Sequence, residues 1–265
     1  MTALPIALTA GEPAGVGPEI AAAAWAALRA DLVFFYIGDP THLPAGTPIV
    51  RIDAPEQAAG AMARGLPVLA RDFGGPRVPG RAQPAHARPV IAAIEEAVAL
   101  VQAGRAAAVT TNPINKKALK DGAGFAFPGH TEFLAHLAGV EDVVMMLACS
   151  ELRVVPATIH IALADVPGAL TPAGLERQIR ITRTALMAQG IAAPRIAVAG
   201  LNPHAGEGGA MGRDELDWII PLLDRLRAEG MAISGPLPAD TMFHPAARAR
   251  YDVAIAMYHD QALIP

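Results

Sequence analysis

The sequence predicts an α/β fold with a largely parallel core sheet, and two observations indicate it. Short apolar runs alternate along the chain with longer segments of helical periodicity, which is the pattern of strands joined by crossover helices. The 25 glycines and 24 prolines are scattered instead of concentrated in one linker, so they mark turns between elements. With 265 residues the chain is long enough for two small domains or one large one.

In the first half, each strand is predicted from an apolar run bounded by Gly or Pro, and each helix from its 3.6-residue periodicity. Pro18 supports the first helix, because proline fits the first turn of a helix. Between 44 and 89 Gly and Pro interrupt every pattern, so no element is assigned there. The strands are predicted over 5–9, 32–37 and 107–111, and the helices over 18–29, 90–103 and 131–138, with a further helix following the loop TNPIN.

The second half continues the alternation. Its strands are predicted over 142–148, 154–161, 195–199 and 253–257, and its helices over 171–190 and 214–229. The final strand leads into YHDQALIP without a closing helix, although a parallel strand is normally covered by one. Either the protein ends without such a helix or the sequence is a fragment of a longer one.

Composition excludes several classes of protein. A net charge of −4 argues against a nucleic-acid-binding protein, which needs a clustered basic surface. The longest apolar stretch, around 20–28, is too short to cross a bilayer, and no secretory signal is recognised. The single cysteine, Cys149, cannot form an internal disulfide. These features predict a cytoplasmic protein without nucleic-acid or membrane partners.

Three histidines follow predicted strands. His160, His204 and His259 all lie at or just beyond the C-terminal end of a strand, the edge at which open α/β sheets bind ligands. Three converging imidazoles would bind a divalent transition metal and leave positions open for substrate. The alternative is that they are ordinary loop or core histidines. His42 and His86 lie in Pro-rich segments and are predicted at the surface.

Two loops have features of anion sites. AGEPAGVGPE joins the first strand to the first helix but lacks the GxGxxG pattern of dinucleotide-binding loops, so it is equally a tight turn. In PGHTEF, His130 and Thr131 stand where a helix begins, and free N–H groups there attract phosphate or carboxylate. The alternative is that Thr131 is only the N-cap of that helix.

Several acid–base candidates accompany these sites. Glu207, in the Gly-rich loop after His204, is a candidate to orient a metal-bound histidine. Asp240, Asp260 and Lys116 are candidates for the general base. The sequence does not separate Lys116 from the neighbouring Lys117.

Six motifs in order resemble one family, the 4-hydroxythreonine-4-phosphate dehydrogenases of vitamin B6 biosynthesis, or PdxA family. They are GEPAGVGPE, TNPINKKAL, GHTEFLA, LNPHAGEGG, GPLPADTMF and MYHDQALIP. The segment GVGPE also resembles isocitrate and isopropylmalate dehydrogenases. The resemblance implies a two-domain α/β/α subunit with the active site in the interdomain cleft, a homodimer, and domains at 1–125 and 126–265.

The resemblance also implies site residues. His160 and His204 would bind the metal together with His259 of the second subunit, and His130 and Thr131 would bind the substrate. A tail beyond Pro265 would complete the first domain and supply further substrate contacts.

The implied reaction is oxidation of 4-phosphooxy-L-threonine by NAD⁺ or NADP⁺, followed by decarboxylation to 3-amino-2-oxopropyl phosphate. One divalent ion per site, Zn²⁺, Co²⁺ or Mg²⁺, would assist it. Relatives that oxidise threonate- or erythronate-type phosphorylated acids, or aromatic cis-diols, are alternatives within the enzyme class. A truncated, non-catalytic metal- or anion-binding homologue is the alternative outside it.

Overall fold

The computed structural model describes residues 4–265, which form two compact units divided between Glu141 and Asp142. This division lies later than the predicted boundary at 125/126. The reason is the aromatic packing of the helix that contains Phe133. The centroid of the Phe133 ring lies 5.1 Å from that of Phe125 and 5.0 Å from that of Phe127. Phe133 is buried in the core of the first unit, so residues 126–141 pack there.

The first unit contains a five-stranded parallel sheet in the order β3-β4-β2-β1-β5. Its strands are β1 (Ile6–Thr9), β2 (Phe34–Gly38), β3 (Ile49–Ile52), β4 (Leu66–Ala70) and β5 (Ala108–Thr111). Its helices are α1 (Gly17–Leu28), α2 (Ala58–Ala61), α3 (Pro84–Gln102), α4 (Lys116–Ala123) and α5 (His130–Ala138). Every residue of β2 is buried, as expected for a strand covered on both faces.

All three predicted strands of this unit are confirmed. Strands β3 and β4 occupy the segment in which no element was predicted. Helix α3 begins at Pro84, earlier than predicted, because Pro84 occupies its first turn and Pro89 is accommodated inside it.

The prediction that His42 and His86 lie at the surface is wrong, since each is only 1 % exposed. The Nε2 atom of His42 lies 2.8 Å from the carbonyl oxygen of Gly75, and that of His86 lies 3.3 Å from the same oxygen. Phe73 packs edge-on against the His42 ring. The Pro-rich segments therefore fold back over the core, and their histidines take part in it.

The second unit contains the sheet β6-β7-β10-β8-β9, which is parallel except for the β6–β7 pair. Its strands are β6 (Leu147–Ala148), β7 (Arg153–Pro156), β8 (Ile196–Ala199), β9 (Ile233–Leu237) and β10 (Val253–Ala256). Its α-helices are α6 (Val166–Ala169), α7 (Pro172–Ala188), α8 (Ile220–Ala228), α9 (Ala239–Met242), α10 (Pro245–Arg248) and α11 (His259–Leu263). A π-helical turn, Glu215–Ile219, precedes α8.

Strand β10 shows why this sheet is buried. Val253 and Ile255 pack into one apolar cluster, whereas Ala254 and Ala256 pack into another. Because side chains of a strand alternate between its faces, the two clusters cover opposite sides of the sheet.

Two predicted strands of this unit need correction, and one strand was missed. The strand predicted over 142–148 is reduced to β6, and the one predicted over 154–161 ends at Pro156. Strand β9 was not predicted, because Gly235 and Pro236 interrupt its apolar pattern; it lies at the edge of the sheet, where proline is tolerated.

Within 4–265, no helix is both long and apolar enough to span a membrane.

Candidate functional site

The loops carrying the three predicted histidines leave the same edge of the second sheet. His160 follows β7, His204 follows β8 and His259 begins α11 after β10. The three strands are parallel neighbours, with β10 in the middle, so their carboxyl ends meet. This confirms the predicted placement of these residues at strand ends, while their role as metal ligands stays a prediction.

His160 and His259 are brought close together. Their ring centroids are 5.9 Å apart, and both rings line a cavity of about 300 Å³. The Nδ1 atom of His259 lies 2.8 Å from Oδ1 of Asp260, which is itself largely exposed. A carboxylate at this distance fixes the orientation of an imidazole ring.

His204 lines a neighbouring cavity of about 270 Å³. Its Nδ1 atom lies 3.8 Å from Oδ2 of Asp240, so both predicted aspartates accompany a histidine. Tyr258 lines both cavities and was not predicted from the sequence. Gln261, also not predicted, donates to the carbonyl oxygen of Gly200 at 2.9 Å and so ties α11 to the end of β8.

Within the described residues, no group of three or more His, Cys, Asp or Glu side chains is arranged to hold a metal ion. The three predicted ligands would nevertheless offer the chemistry that Zn²⁺ and Co²⁺ prefer, since all three are imidazoles.

The loop that carries His204 has an unusual backbone. Six consecutive residues, 204–209, have positive φ angles, which lie between 43° at Glu207 and 99° at Gly209. Three of them, His204, Ala205 and Glu207, are not glycine. Each such residue costs on the order of 1–3 kcal/mol, and strain of this kind is often found at functional sites. The turn must therefore be held by its surroundings.

The carboxylate of Glu215, which the sequence did not indicate, holds this turn through Asn202. Glu215, only 1 % exposed, accepts hydrogen bonds from the backbone N–H of Asn202 at 2.8 Å and from its Nδ2 at 3.0 Å. Asn202 Nδ2 also donates to Asp214 at 2.9 Å. Glu207, predicted to orient a histidine, is exposed and forms no side-chain hydrogen bond within residues 4–265. The supporting carboxylate is thus Glu215, which lies in the π-helical turn.

His130 and Thr131 occupy the first turn of α5 in the first unit. The N-cap is Gly129 and no side chain caps the helix, so the alternative that Thr131 is merely a cap is wrong. The Nε2 atom of His130 is buried without a hydrogen-bond partner in the described part of the chain, and burial lowers the pKa of this ring. A neutral imidazole and free helix N–H groups suit an anionic or polar ligand.

Lys116 and Lys117 are distinguished by the structure. Lys117 Nζ lies 2.5 Å from Oδ2 of Asp121, and this bond raises the pKa of the lysine. Lys116 is exposed at the start of α4, without an ion pair within 4–265. Lys116 is therefore the lysine of this pair that no ion pair within 4–265 holds in place.

The Gly-rich loop after β1 is a tight turn packed on the loop after β5. The N–H of Glu12 donates to the carbonyl oxygen of Pro113 at 2.8 Å, and Asn112 Nδ2 donates to the carbonyl oxygen of Thr9 at 3.0 Å. The carboxylate of Glu12 accepts from the N–H of Ala14 at 3.0 Å. An acidic side chain of the chain itself thus occupies a position that an anion would need.

Comparison with known proteins agrees with these features. The family model described as pyridoxal phosphate biosynthetic protein PdxA matches residues 31–265. A 4-hydroxythreonine-4-phosphate dehydrogenase of Ruegeria sp. (strain TM1040) is 60 % identical, over 100 % of this chain and 82 % of that protein. One from Roseobacter denitrificans is 59 % identical, over 98 % of this chain and 81 % of that protein.

Solved structures lead to the same result. The crystal structure of 4-hydroxythreonine-4-phosphate dehydrogenase from Klebsiella pneumoniae superposes with a TM-score of 0.91 at 36 % identity, covering 100 % of this chain and 82 % of that one. The relatives are named as dehydrogenases and the solved one shares the α/β fold, which confirms the prediction of an enzyme and the predicted fold class. With its motifs, its fold and nearly its whole length matched, this chain belongs to the PdxA family.

Proposed function

We propose that the protein oxidises the secondary hydroxyl of 4-phosphooxy-L-threonine in the cytoplasm, as a step of pyridoxal phosphate biosynthesis. The carbon-bound hydrogen leaves as hydride to NAD⁺ or NADP⁺, and the hydroxyl proton goes to a base. The β-keto acid so formed loses CO₂ to give 3-amino-2-oxopropyl phosphate. The observation that carries this proposal is 60 % identity, over the whole chain, to a relative of the corresponding name.

The proposed metal site draws on two subunits of a homodimer. His160 and His204 of one subunit would bind the ion together with the partner subunit's His259. This division is consistent with the finding that one chain, over its described residues, does not bring three ligands together. When bound, a divalent cation supplies stabilisation of the negative charge that develops on the substrate oxygen.

The residues of the chain itself would bind and orient the substrate. His130, neutral because of its burial, and Thr131 would donate hydrogen bonds to a polar or anionic group of the substrate. Asp240 and Asp260 each lie beside a proposed ligand histidine and are candidates to accept the hydroxyl proton. Lys116 is the third candidate.

The test compares His204→Ala with His136→Ala in the full chain. His136 is a matched control because it is an exposed histidine on α5, packed against Phe127 and away from the strand ends. We expect His204→Ala to lose one-to-one Zn²⁺ binding by calorimetry and NADH formation with 4-phosphooxy-L-threonine, while its circular dichroism is unchanged. His136→Ala should retain both activities. A His204→Ala protein that still binds one Zn²⁺ per subunit would overturn the metal assignment.

A further inference from the structure

Glu215 is a buried carboxyl group whose presence needs an explanation. Its hydrogen bonds within residues 4–265 come from one residue, Asn202, and no lysine, arginine or histidine pairs with it there. Burying a carboxyl group costs free energy unless its hydrogen bonds compensate. What these hydrogen bonds hold in place therefore indicates what the residue does.

The hydrogen bonds between Glu215 and Asn202 fix the start of the left-handed turn. Asn202 lies two residues before His204, and its carbonyl oxygen accepts from the N–H of Ala205 at 3.0 Å. The N–H and side chain of Asn202 are thus bonded to the Glu215 carboxylate, while its carbonyl oxygen is bonded to the first residues of the turn. Residues with positive φ relax readily to right-handed conformations unless such contacts prevent it.

The same carboxylate also touches the turn at its centre. A Cβ placed on Gly206 would lie 2.6 Å from Oε2 of Glu215, and one placed on Gly200 would lie 3.1 Å from Oε1. Only glycine allows the backbone to approach the carboxylate so closely at Gly206. Glu215 therefore lies against the backbone on both sides of His204, at Gly200 and Asn202 before it and at Gly206 after it.

We propose that Glu215 is a positioning residue for His204, acting through Asn202 to hold the left-handed turn that presents the imidazole at the sheet edge. The turn itself is a property of the free protein. The consequence for metal binding rests on the function proposed above, in which His204 is a ligand.

The decisive variant is Glu215→Gln, with Asp214→Asn as its matched control. Glutamine keeps the shape of the side chain but replaces one acceptor with an NH₂ group, which cannot accept from Asn202. Asp214→Asn removes a neighbouring carboxylate that also contacts Asn202, yet leaves both Glu215 hydrogen bonds intact. If Glu215→Gln is not recovered folded, Asn202→Ala removes the side-chain partner instead, and the same result is expected from it.

Two measurements on the full-length protein are needed. Hydrogen exchange of the metal-free protein should accelerate by at least about tenfold over residues 204–211 in Glu215→Gln, and little elsewhere. The Kd for Zn²⁺ should rise by roughly 10- to 100-fold, as when other outer partners of metal ligands are lost. The control should show neither change.

The outcomes separate this proposal from the proposed function. Unchanged exchange in the turn, or equal acceleration throughout the second unit, would overturn the positioning role. If the parent protein fails to bind Zn²⁺, the metal proposal fails, but exchange in the metal-free protein still decides the role of Glu215.

Discussion

Replacing Gly11 by alanine should destabilise the first unit more than the same change at Gly124. The two glycines have nearly identical φ angles, +68° and +67°, so the intrinsic cost of left-handed alanine is about 1–2 kcal/mol at both. A Cβ at Gly124 would meet nothing within 4 Å. A Cβ at Gly11 would lie 2.6 Å from the carbonyl oxygen of Pro113 and 2.7 Å from Cβ of Asn112. Such overpacking adds about 1–3 kcal/mol.

The difference can be measured by urea denaturation followed by fluorescence. The chain has two tryptophans, Trp25 in the first unit and Trp218 in the second. A Trp218→Phe background makes Trp25 the reporter of the first unit. We expect a free energy of unfolding lower by about 2–5 kcal/mol for Gly11→Ala and by about 1–2 kcal/mol for Gly124→Ala. Equal losses would refute the close packing of the Gly-rich loop on the loop after β5.

Two further predictions concern assembly and pH. His160→Ala and His259→Ala, each inactive alone, should recover roughly a quarter of parental turnover when unfolded and refolded together, because half of the dimers are mixed and each has one intact site. Arg225 and Arg180 lower the pKa of Glu176 to about 2, so the stabilisation by this carboxylate is present above the ordinary glutamate pKa and is lost as pH falls towards 2. The free energy of unfolding of Glu176→Gln, measured with urea, should therefore be lower than that of the parent at pH 7 by at most about 1 kcal/mol, and the difference should shrink as the pH falls towards 2.

The predictions on assembly and on pH each have a control. Subunit exchange between the two histidine variants must be shown independently, and no recovery despite exchange would exclude a shared site. For Glu176, the matched variant is Glu95→Gln, which breaks the exposed pair with Arg88. A pH-independent deficit in Glu176→Gln would show that its side chain contributes by packing and not by charge.

The placement of the three histidines was predictable because buried parallel strands have a strong local signal. The apolar runs before His204 and His259 are continuous, and a polar residue that follows such a run within a few positions lies near the sheet edge. The order of the strands was not predictable, since no local pattern states that the last strand of the chain pairs with both β7 and β8.

The role of Glu215 in holding the loop of His204 could not be predicted from the sequence either. Glu215 stands in RDELDW, which is typical of an acidic first helical turn exposed to solvent. It is buried because the Gly-rich loop folds over it, and this contact joins segments that only tertiary structure brings together. The glycines of that loop predicted a turn but not its handedness, because Ala205 and Glu207 have no local preference for positive φ.

The left-handed turn also restricts which sequences this segment can adopt. At Ala205 and Glu207, asparagine, aspartate or glycine should be accepted, because these residues tolerate positive φ. Valine, isoleucine and threonine should be excluded there, although both positions leave room for solvent. In a library randomised at these two positions, selection for a folded loop would thus act on the tolerance of each residue for positive φ and hardly on its hydrophobicity. Substitution tolerance in this segment would be a poor guide to burial.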